Sequence, residues 1–295
     1  MINQNGQILK ETLACLILDD PLLIPRYGCL DYAKLLEEMN AHNFFTEIAF
    51  IPWNYKRSDP KTVRLFADNV DRYAICVHGC NHSGNEFGGD NYQELSELSS
   101  VALWRMEQHK KLTGLSYDPV FVFPHGRFSS VAALALKHQG FFAAFNTTIQ
   151  STDGEEPQAE EYRRPATMMY HDFPLFLRRN PSARSLFTED VSMGRPIIIV
   201  AHHGDFRNGY RMITDLVDWI NSLGNIRWTS LLNIAEHYLG KRMADTKLRI
   251  DSSQLHLRVN AKAILRRFLS EARDNYVETS NFLNKGYKKL RGLYE

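Results

Sequence analysis

Several things that commonly decide a protein's class are scarce in this chain. Only four cysteines occur in 295 residues, too few for a disulfide framework, so a reducing, cytoplasmic setting is expected. Apolar runs such as Leu13–Leu18 and Ile197–Ala201 fall far short of the ~20 residues of a membrane-spanning helix. The first residues, MINQNGQILKET, carry no basic stretch leading into an apolar one, so no signal peptide is expected. Gly84, Gly88 and Gly89 suggest a mobile loop, not a phosphate cradle, because no Gly-x-x-x-x-Gly-Lys-Ser/Thr run exists. Excess charge of one sign is also missing, with 35 Lys and Arg against 34 Asp and Glu.

That balance hides an asymmetry. Residues 241–295 hold 13 basic and 6 acidic side chains, a net +7, which leaves residues 1–240 at −6. The body has no general attraction to nucleic acid. The tail could dock a protein or a membrane surface through Arg266, Arg267, Lys285, Lys288, Lys289 and Arg291, or simply form a solvated helix face.

What the chain does have is alternation. Strand-like runs at Leu13–Leu18, Glu47–Ile51, Ala74–Val77, Val120–Phe123, Phe141–Phe145, Ile197–Ala201 and Ile226–Thr229 are separated by helical patterns. The helices expected are one N-capped by Asp31, then Thr62–Val70, Tyr92–Lys110, Val131–His138, Arg211–Leu223 and Ser230–Leu239. Short apolar strands alternating with helices predict an α/β fold with a largely parallel sheet. About seven strands in 240 residues suit a barrel-like arrangement at least as well as an open sheet. Asn146–Tyr170 reads as a long polar surface loop. After Leu239 the rhythm stops, which predicts a catalytic domain over 1–240 and a basic, mostly helical extension over 241–295, opening with a short β element.

Four strand candidates end in potential ligands or acids: Asp19-Asp20, His78-Gly79-Cys80-Asn81-His82, Pro124-His125-Gly126-Arg127 and His202-His203-Gly204-Asp205. In parallel α/β folds the C-terminal strand ends share one rim, where active sites are built. Neutral imidazoles four residues apart can converge on one divalent ion, with a nearby carboxylate supplying an oxygen. Two histidines and a carboxylate leave coordination positions open, as a catalytic metal needs. A structural zinc on Cys76 and Cys80 is the competing arrangement, but one short segment cannot wrap a tetrahedral ion, and Cys76 lies inside an apolar run.

The order of these motifs resembles the polysaccharide deacetylase superfamily (NodB homology, carbohydrate esterase family 4), over about Leu13 to Leu239. The resemblance implies an irregular (β/α) barrel and a divalent metal, commonly zinc, that serves to remove acetyl groups from amino sugars. It also implies that Asp19 is the general base and that Asp20, His78 and His82 ligate the metal. Pro124, His125 and Arg127 would belong to a groove wall, and His202 would be the general acid, with His203 the alternative if the register slips by one. Trp53, beside Pro52 at a strand end, is the better candidate for an aromatic contact with a sugar than Tyr55 or Trp104.

The departures are specific. Pro21 follows Asp20 directly, where the family has Asp-Asp-Gly-Pro. Gly79 stands where it has Ser or Thr. Val122 stands in the place of the arginine that positions the base, leaving Arg127 or His125 to reach in. The fourth motif has no clear counterpart, and His171-Asp172-Phe173 is its candidate. The expected function is hydrolysis of an acyl group from an N-acylated carbohydrate. The alternatives are hydrolysis of a non-peptide C–N bond in a small amide, or a non-catalytic carbohydrate-binding or scaffold module that keeps the barrel.

Overall fold

The computed structural model describes residues 11–156 and 168–250. All seven expected strands form. They are β1 (Thr12–Asp19), β4 (Thr46–Phe50), β5 (Tyr73–His78), β6 (Asp118–Val122), β7 (Ala144–Asn146), β10 (Ile197–His202) and β11 (Ile226–Trp228). Two further strands, β8 (Met168–Tyr170) and β9 (Phe173–Leu177), make a hairpin, and β2 (Arg26–Tyr27) with β3 (Leu30–Asp31) makes a small separate one.

The main sheet runs β10-β1-β4-β5-β6-β7-β9-β8, with β11 also paired to β1. Every pairing in it is parallel except β8 with β9. Just past β9, the Arg179 N–H donates to the Ile198 carbonyl at 2.8 Å, and the Val200 N–H donates back to the Arg179 carbonyl at 2.9 Å. That single bridge links the β9 side of the sheet to β10, so the strands run in a circuit. The architecture is an irregular α/β barrel.

The helices are α1 (Tyr32–His42), α2 (Pro60–Ala67), α3 (Tyr92–Thr113), α4 (Ser130–Gln139), α5 (Arg184–Ser192), α6 (Arg211–Asn221) and α7 (Leu231–Leu239). Six were expected, and side-chain caps mark where most of them begin. Asp31, Asp59, Asn91, Ser129 and Ser230 each accept a backbone N–H from the first turn that follows. The unexpected α5 follows Ala183, which offers no capping side chain. None of these helices is long and apolar enough to cross a membrane.

Side-chain alternation divides the core in two. Leu13, Cys15 and Ile17 of β1 face the barrel interior with Cys76, Val120 and Ile198. Ala14, Leu16 and Leu18 face outward, into the layer shared with the helices. Leu231, Ile234 and Ala235 of α7 join the inner cluster. Its N-terminus meets the barrel base, where the Leu231 N–H donates to Glu47 Oε2 at 2.6 Å and the Leu232 N–H to Asp118 Oδ2 at 3.3 Å.

Residues 246–250 show no strand where a short β element was expected; Arg249 instead donates its N–H to the Gln139 carbonyl at 2.8 Å. The remainder of the expected basic extension, 251–295, lies outside the described residues, as does 157–167 of the long polar segment.

Candidate active site

The same alternation builds the site. Counting inward positions along β1 from Leu13, Cys15 and Ile17 leads to Asp19 at the strand's last residue. On β5 the inward Cys76 leads to His78, and on β10 the inward Ile198 leads to His202. Asp19 pairs in register with His202, and His78 with Val122. Three separate strand ends therefore bring polar groups to one rim of the barrel.

Asp20 turns away from β1 with φ of 78°, a left-handed conformation uncommon outside glycine. The turn carries its Oδ1 to 3.2 Å from His78 Nε2 and 3.0 Å from His82 Nε2. His82 (φ 57°) and His125 (φ 55°) share this backbone state, and the His125 ring centroid lies 4.5 Å from that of His82. Strained backbone concentrates at functional sites because surrounding structure must hold it in place. The other described non-glycine residues with positive φ belong to a helix C-cap, Asn43, and a hairpin turn, His171-Asp172.

The donor chemistry fits a divalent cation. His78 Nδ1 lies 3.0 Å from the Val122 carbonyl, which can only accept. The Nδ1 atom therefore carries a proton, which leaves Nε2 to face Asp20. Asp20 Oδ1 is buried and has no hydrogen-bond partner. A ring nitrogen and a carboxylate oxygen this close need a positive charge between them, either a proton or a metal cation. Asp20, His78 and His82 form the one cluster among the described residues whose ligand atoms could share an ion. The electrostatics agree. Burial works to raise the Asp20 carboxyl, but His78, His82 and His202 outweigh it and hold it far below the usual range. Burial works to lower His78, while Asp19 and Asp20 raise it. The pocket attracts positive charge.

Asp19 is buried, and its Oδ1 accepts from Arg178 Nη1 at 2.6 Å. Burial alone would raise this carboxyl; the Arg178 guanidinium and the His78 ring hold it below the usual carboxylate range. Sequence reasoning missed Arg178. The arginine absent at Val122 is supplied from the other side of the barrel, by the residue that follows β9. Arg178 points inward to Asp19, while its neighbour Arg179 points outward and grips Asp190 of α5 with two hydrogen bonds. The signal was there in Arg178-Arg179 after the apolar run Phe173–Leu177, which Pro174 interrupts.

His202 has its side chain about half exposed, with Nε2 4.0 Å from Asp19 Oδ2. Its N–H donates to Asp205 Oδ2 at 2.8 Å, and its ring accepts from the Asp205 backbone, which leaves Nε2 as the atom turned toward Asp19. His203 instead packs edge-on against Tyr27, with ring centroids 5.0 Å apart. Of the two, His202 is the one turned toward the acidic pair.

The remaining expected residues scatter. Pro124 packs over Gly79, where a Cβ would lie 2.3 Å from Pro124 Cγ and 2.7 Å from Glu86 Oε2, with φ at +62°. Gly79 is therefore required by this packing, and a Ser or Thr has no room. Arg127 is exposed and makes no ion pair with Asp19; its backbone N–H closes the turn onto the Pro124 carbonyl at 3.1 Å. Trp53 lies beside the histidine loop, its N–H donating to the Cys80 carbonyl, and the Arg105 guanidinium sits 4.9 Å over its ring. Cys76 faces the inner core and Cys80 is buried; neither joins the ligand cluster.

Asp172 does not reach the site. With His171 (φ 51°) and Asp172 (φ 59°) as its central residues, the β8–β9 turn links two antiparallel strands. Because β9 runs parallel to β7, its start lies at the base of the barrel, opposite the Asp20, His78 and His82 cluster. Lys137 at the end of α4 agrees with that location, donating to the His171 carbonyl at 2.7 Å. The same strand that begins beside Asp172 ends beside Arg178.

No family model matches the chain, and no curated protein matches its sequence. Solved structures do match. A polysaccharide deacetylase candidate from Mycobacterium smegmatis shares 13% identity over 78% of this chain and 91% of that one, with a TM-score of 0.53. A T48 deacetylase solved with substrate shares 15% identity over 80% and 94%, with a TM-score of 0.48. A family 4 carbohydrate esterase pseudoenzyme from Bacillus anthracis shares 9% over 75% and 68%, with a TM-score of 0.40. At such identities the likeness concerns architecture, and the chain has the α/β barrel fold of the polysaccharide deacetylases in a widely divergent sequence.

Proposed function

We propose that this protein is a metal-dependent hydrolase that removes an acyl group, acetyl first among them, from an N-acylated carbohydrate. The observation that carries the reading is the buried, unpartnered Asp20 Oδ1 facing His78 Nε2 and His82 Nε2. Asp20, His78 and His82 would hold the ion, zinc being the expected one given two imidazoles and a single carboxylate. Such an ion supplies Lewis acidity, making water nucleophilic near neutral pH and polarising a carbonyl.

The chain's own residues divide the proton work. Asp19, kept ionised by Arg178, is placed to take the proton of the attacking water. An amine leaves poorly unless it is protonated. His202 Nε2, 4.0 Å from Asp19 Oδ2, is the atom from which the leaving nitrogen can be protonated when the ring is an imidazolium. Asp19 then ends protonated and His202 ends as a neutral ring, and transfer of the Asp19 proton through solvent to the half-exposed His202 restores the starting state. Arg178 neutralises Asp19 without competing for the proton, since a guanidinium does not deprotonate in this range.

The test joins metal content with turnover. Purified wild type is expected to carry about one divalent ion per chain and to release acetate from N-acetylated sugar oligomers. Asp20→Ala and His82→Ala are each expected to lose the ion and about three orders of magnitude of turnover. A metal-free wild type that takes up no zinc on titration sinks the proposal. Release of acyl groups from small linear or cyclic amides, and not from sugars, would keep the mechanism and change the substrate.

A further inference from the structure

The segment between the two histidines, residues 79–81, belongs to no helix or strand. Fixing the backbone of such a segment costs about 1–2 kcal/mol per residue, so something must hold it in the conformation that aligns both rings. Its backbone polar groups have identifiable partners. The Gly79 N–H donates to the Val122 carbonyl at 3.2 Å. The Cys80 and His82 N–H groups donate to Glu86 Oε2 at 3.0 and 3.1 Å, and the Asn81 N–H donates to Glu86 Oε1 at 2.6 Å. Three successive N–H groups thus converge on one carboxylate, and the left-handed φ of His82 closes the concavity. On the carbonyl side, Cys80 O accepts from the Trp53 N–H at 3.0 Å and from Arg105 Nη1 at 3.0 Å. Arg105 also reaches Asn81 Oδ1 at 2.7 Å.

Glu86 itself sits in a glycine-flanked stretch that gives no regular element, yet its neighbour Phe87 is fully buried against Phe121 and Phe123. That anchoring makes the carboxylate a fixed template and not a passing contact.

We propose that Glu86 is a positioning residue for the metal centre, setting the His78–His82 loop by binding three of its backbone N–H groups. The proposal rests on the reading of Asp20, His78 and His82 as ligands. Glu86 stands outside that ligand cluster and acts through the backbone that carries His82. The geometry makes a sharp distinction between carboxylate and amide. Both oxygens of Glu86 accept, whereas the NH2 of a glutamine would face an N–H donor and break at least one of the three contacts.

Zinc affinity of the apo protein, measured by competition with a chromophoric chelator, reads this role directly. The ligand-field spectrum of the cobalt-substituted protein reads it independently. Glu86→Gln is expected to bind zinc 10–100-fold more weakly than wild type and to shift the cobalt bands. At saturating zinc its kcat should return to within a few-fold of wild type, because the ligands and the acid–base pair are intact. A folded Glu86→Gln chain with zinc affinity within threefold of wild type and an unchanged cobalt spectrum overturns the proposal. Should that variant not fold, Glu86→Asp decides in its place, since the shorter side chain cannot span all three N–H groups and the same loss of affinity is expected. Wild type that binds no zinc defeats the ligand assignment instead, so the two failures are separable.

Discussion

The barrel holds a pair of carboxyls at each end among the described residues, and the two pairs are shifted in opposite directions. At the mouth, Asp19 and Asp20 are surrounded by Arg178, His78, His82 and His202, and both stay ionised against the pull of burial. At the base, Glu47 and Asp118 are met by N–H donors from the start of α7 and by the Ser230 hydroxyl. Burial drives Asp118 up to about 6 and Glu47 well above its usual value, with Asp118 further opposing the ionisation of Glu47. Carboxyls buried in one barrel are thus held below the usual range at one end and pushed above it, as acceptors for a helix N-terminus, at the other. What differs is the presence of positive charge. The mouth sets Arg178 and three histidines around its carboxylates, which is what the proposed base and ligand would need; the base of the barrel offers its carboxyls only hydrogen-bond donors.

The largest break in that contrast should come from Arg178→Met, which makes the mouth resemble the base. It strands Asp19 without its counter-charge, and removing one partner of a buried ion pair costs about 3–5 kcal/mol. In wild type the Asp19 carboxyl is depressed, so its contribution to stability is present above the unfolded value of ~3.9 and is lost as pH falls through the folded value. In Arg178→Met burial acts with less opposition, and the folded carboxyl rises. The contribution then changes sign, and stability falls as pH rises through the new folded value. Turnover should drop at least about 10²-fold, with the acidic limb of the pH–rate profile moved to higher pH. Denaturant titrations and rate profiles over the same pH range check both halves. Unchanged rates would show that Asp19 does not depend on Arg178.

A smaller effect is expected at the base. Asp118, raised to about 6 in the folded state against ~3.9 unfolded, contributes fully below the unfolded value, and that contribution is lost as pH climbs through the folded one. Two pH units correspond to about 3 kcal/mol. Asp118→Asn keeps an acceptor for the Leu232 N–H and removes the titration. The difference in stability between the variant and wild type should therefore shift by about 2 kcal/mol of that total, in the variant's favour, between pH 4 and pH 6.5. A parallel pair of stability curves would place the Asp118 carboxyl near its ordinary value and erase the contrast.

These two ends also explain what was legible in the sequence. The mouth was largely readable because each polar cluster follows an apolar run, and period-two alternation carries the count from Ile17 to Asp19 and from Cys76 to His78. One helix announced itself through its cap, Asp31, and the others through apolar residues spaced along one face. Arg178 was hidden because its partner is 159 residues away and its strand carries Pro174 after a long polar stretch. Glu86 was hidden for another reason. Its partners are backbone N–H groups, which leave no mark in the sequence, and the glycines around it suggested mobility where Phe87 in fact anchors the chain.

The smallest expected effect is at Asp172, where motif order pointed to an orienting carboxylate and the strand direction puts a hairpin turn. The side chain is 87% exposed and lies 3.4 Å from Lys137 Nζ, a surface pair worth at most about 1 kcal/mol. Its φ of 59° suits Asn as well as Asp, so Asp172→Asn removes charge while leaving the turn conformation undisturbed. Stability should stay within about 0.5 kcal/mol of wild type. Turnover should stay within twofold, because the turn lies at the base of the barrel, away from Asp19 and the histidine pair. A loss of tenfold or more would mean that Asp172 acts on the mouth after all, and the assignment of base orientation to Arg178 would have to be shared. Parity of the two activities leaves that role with the residue at the other end of the same strand.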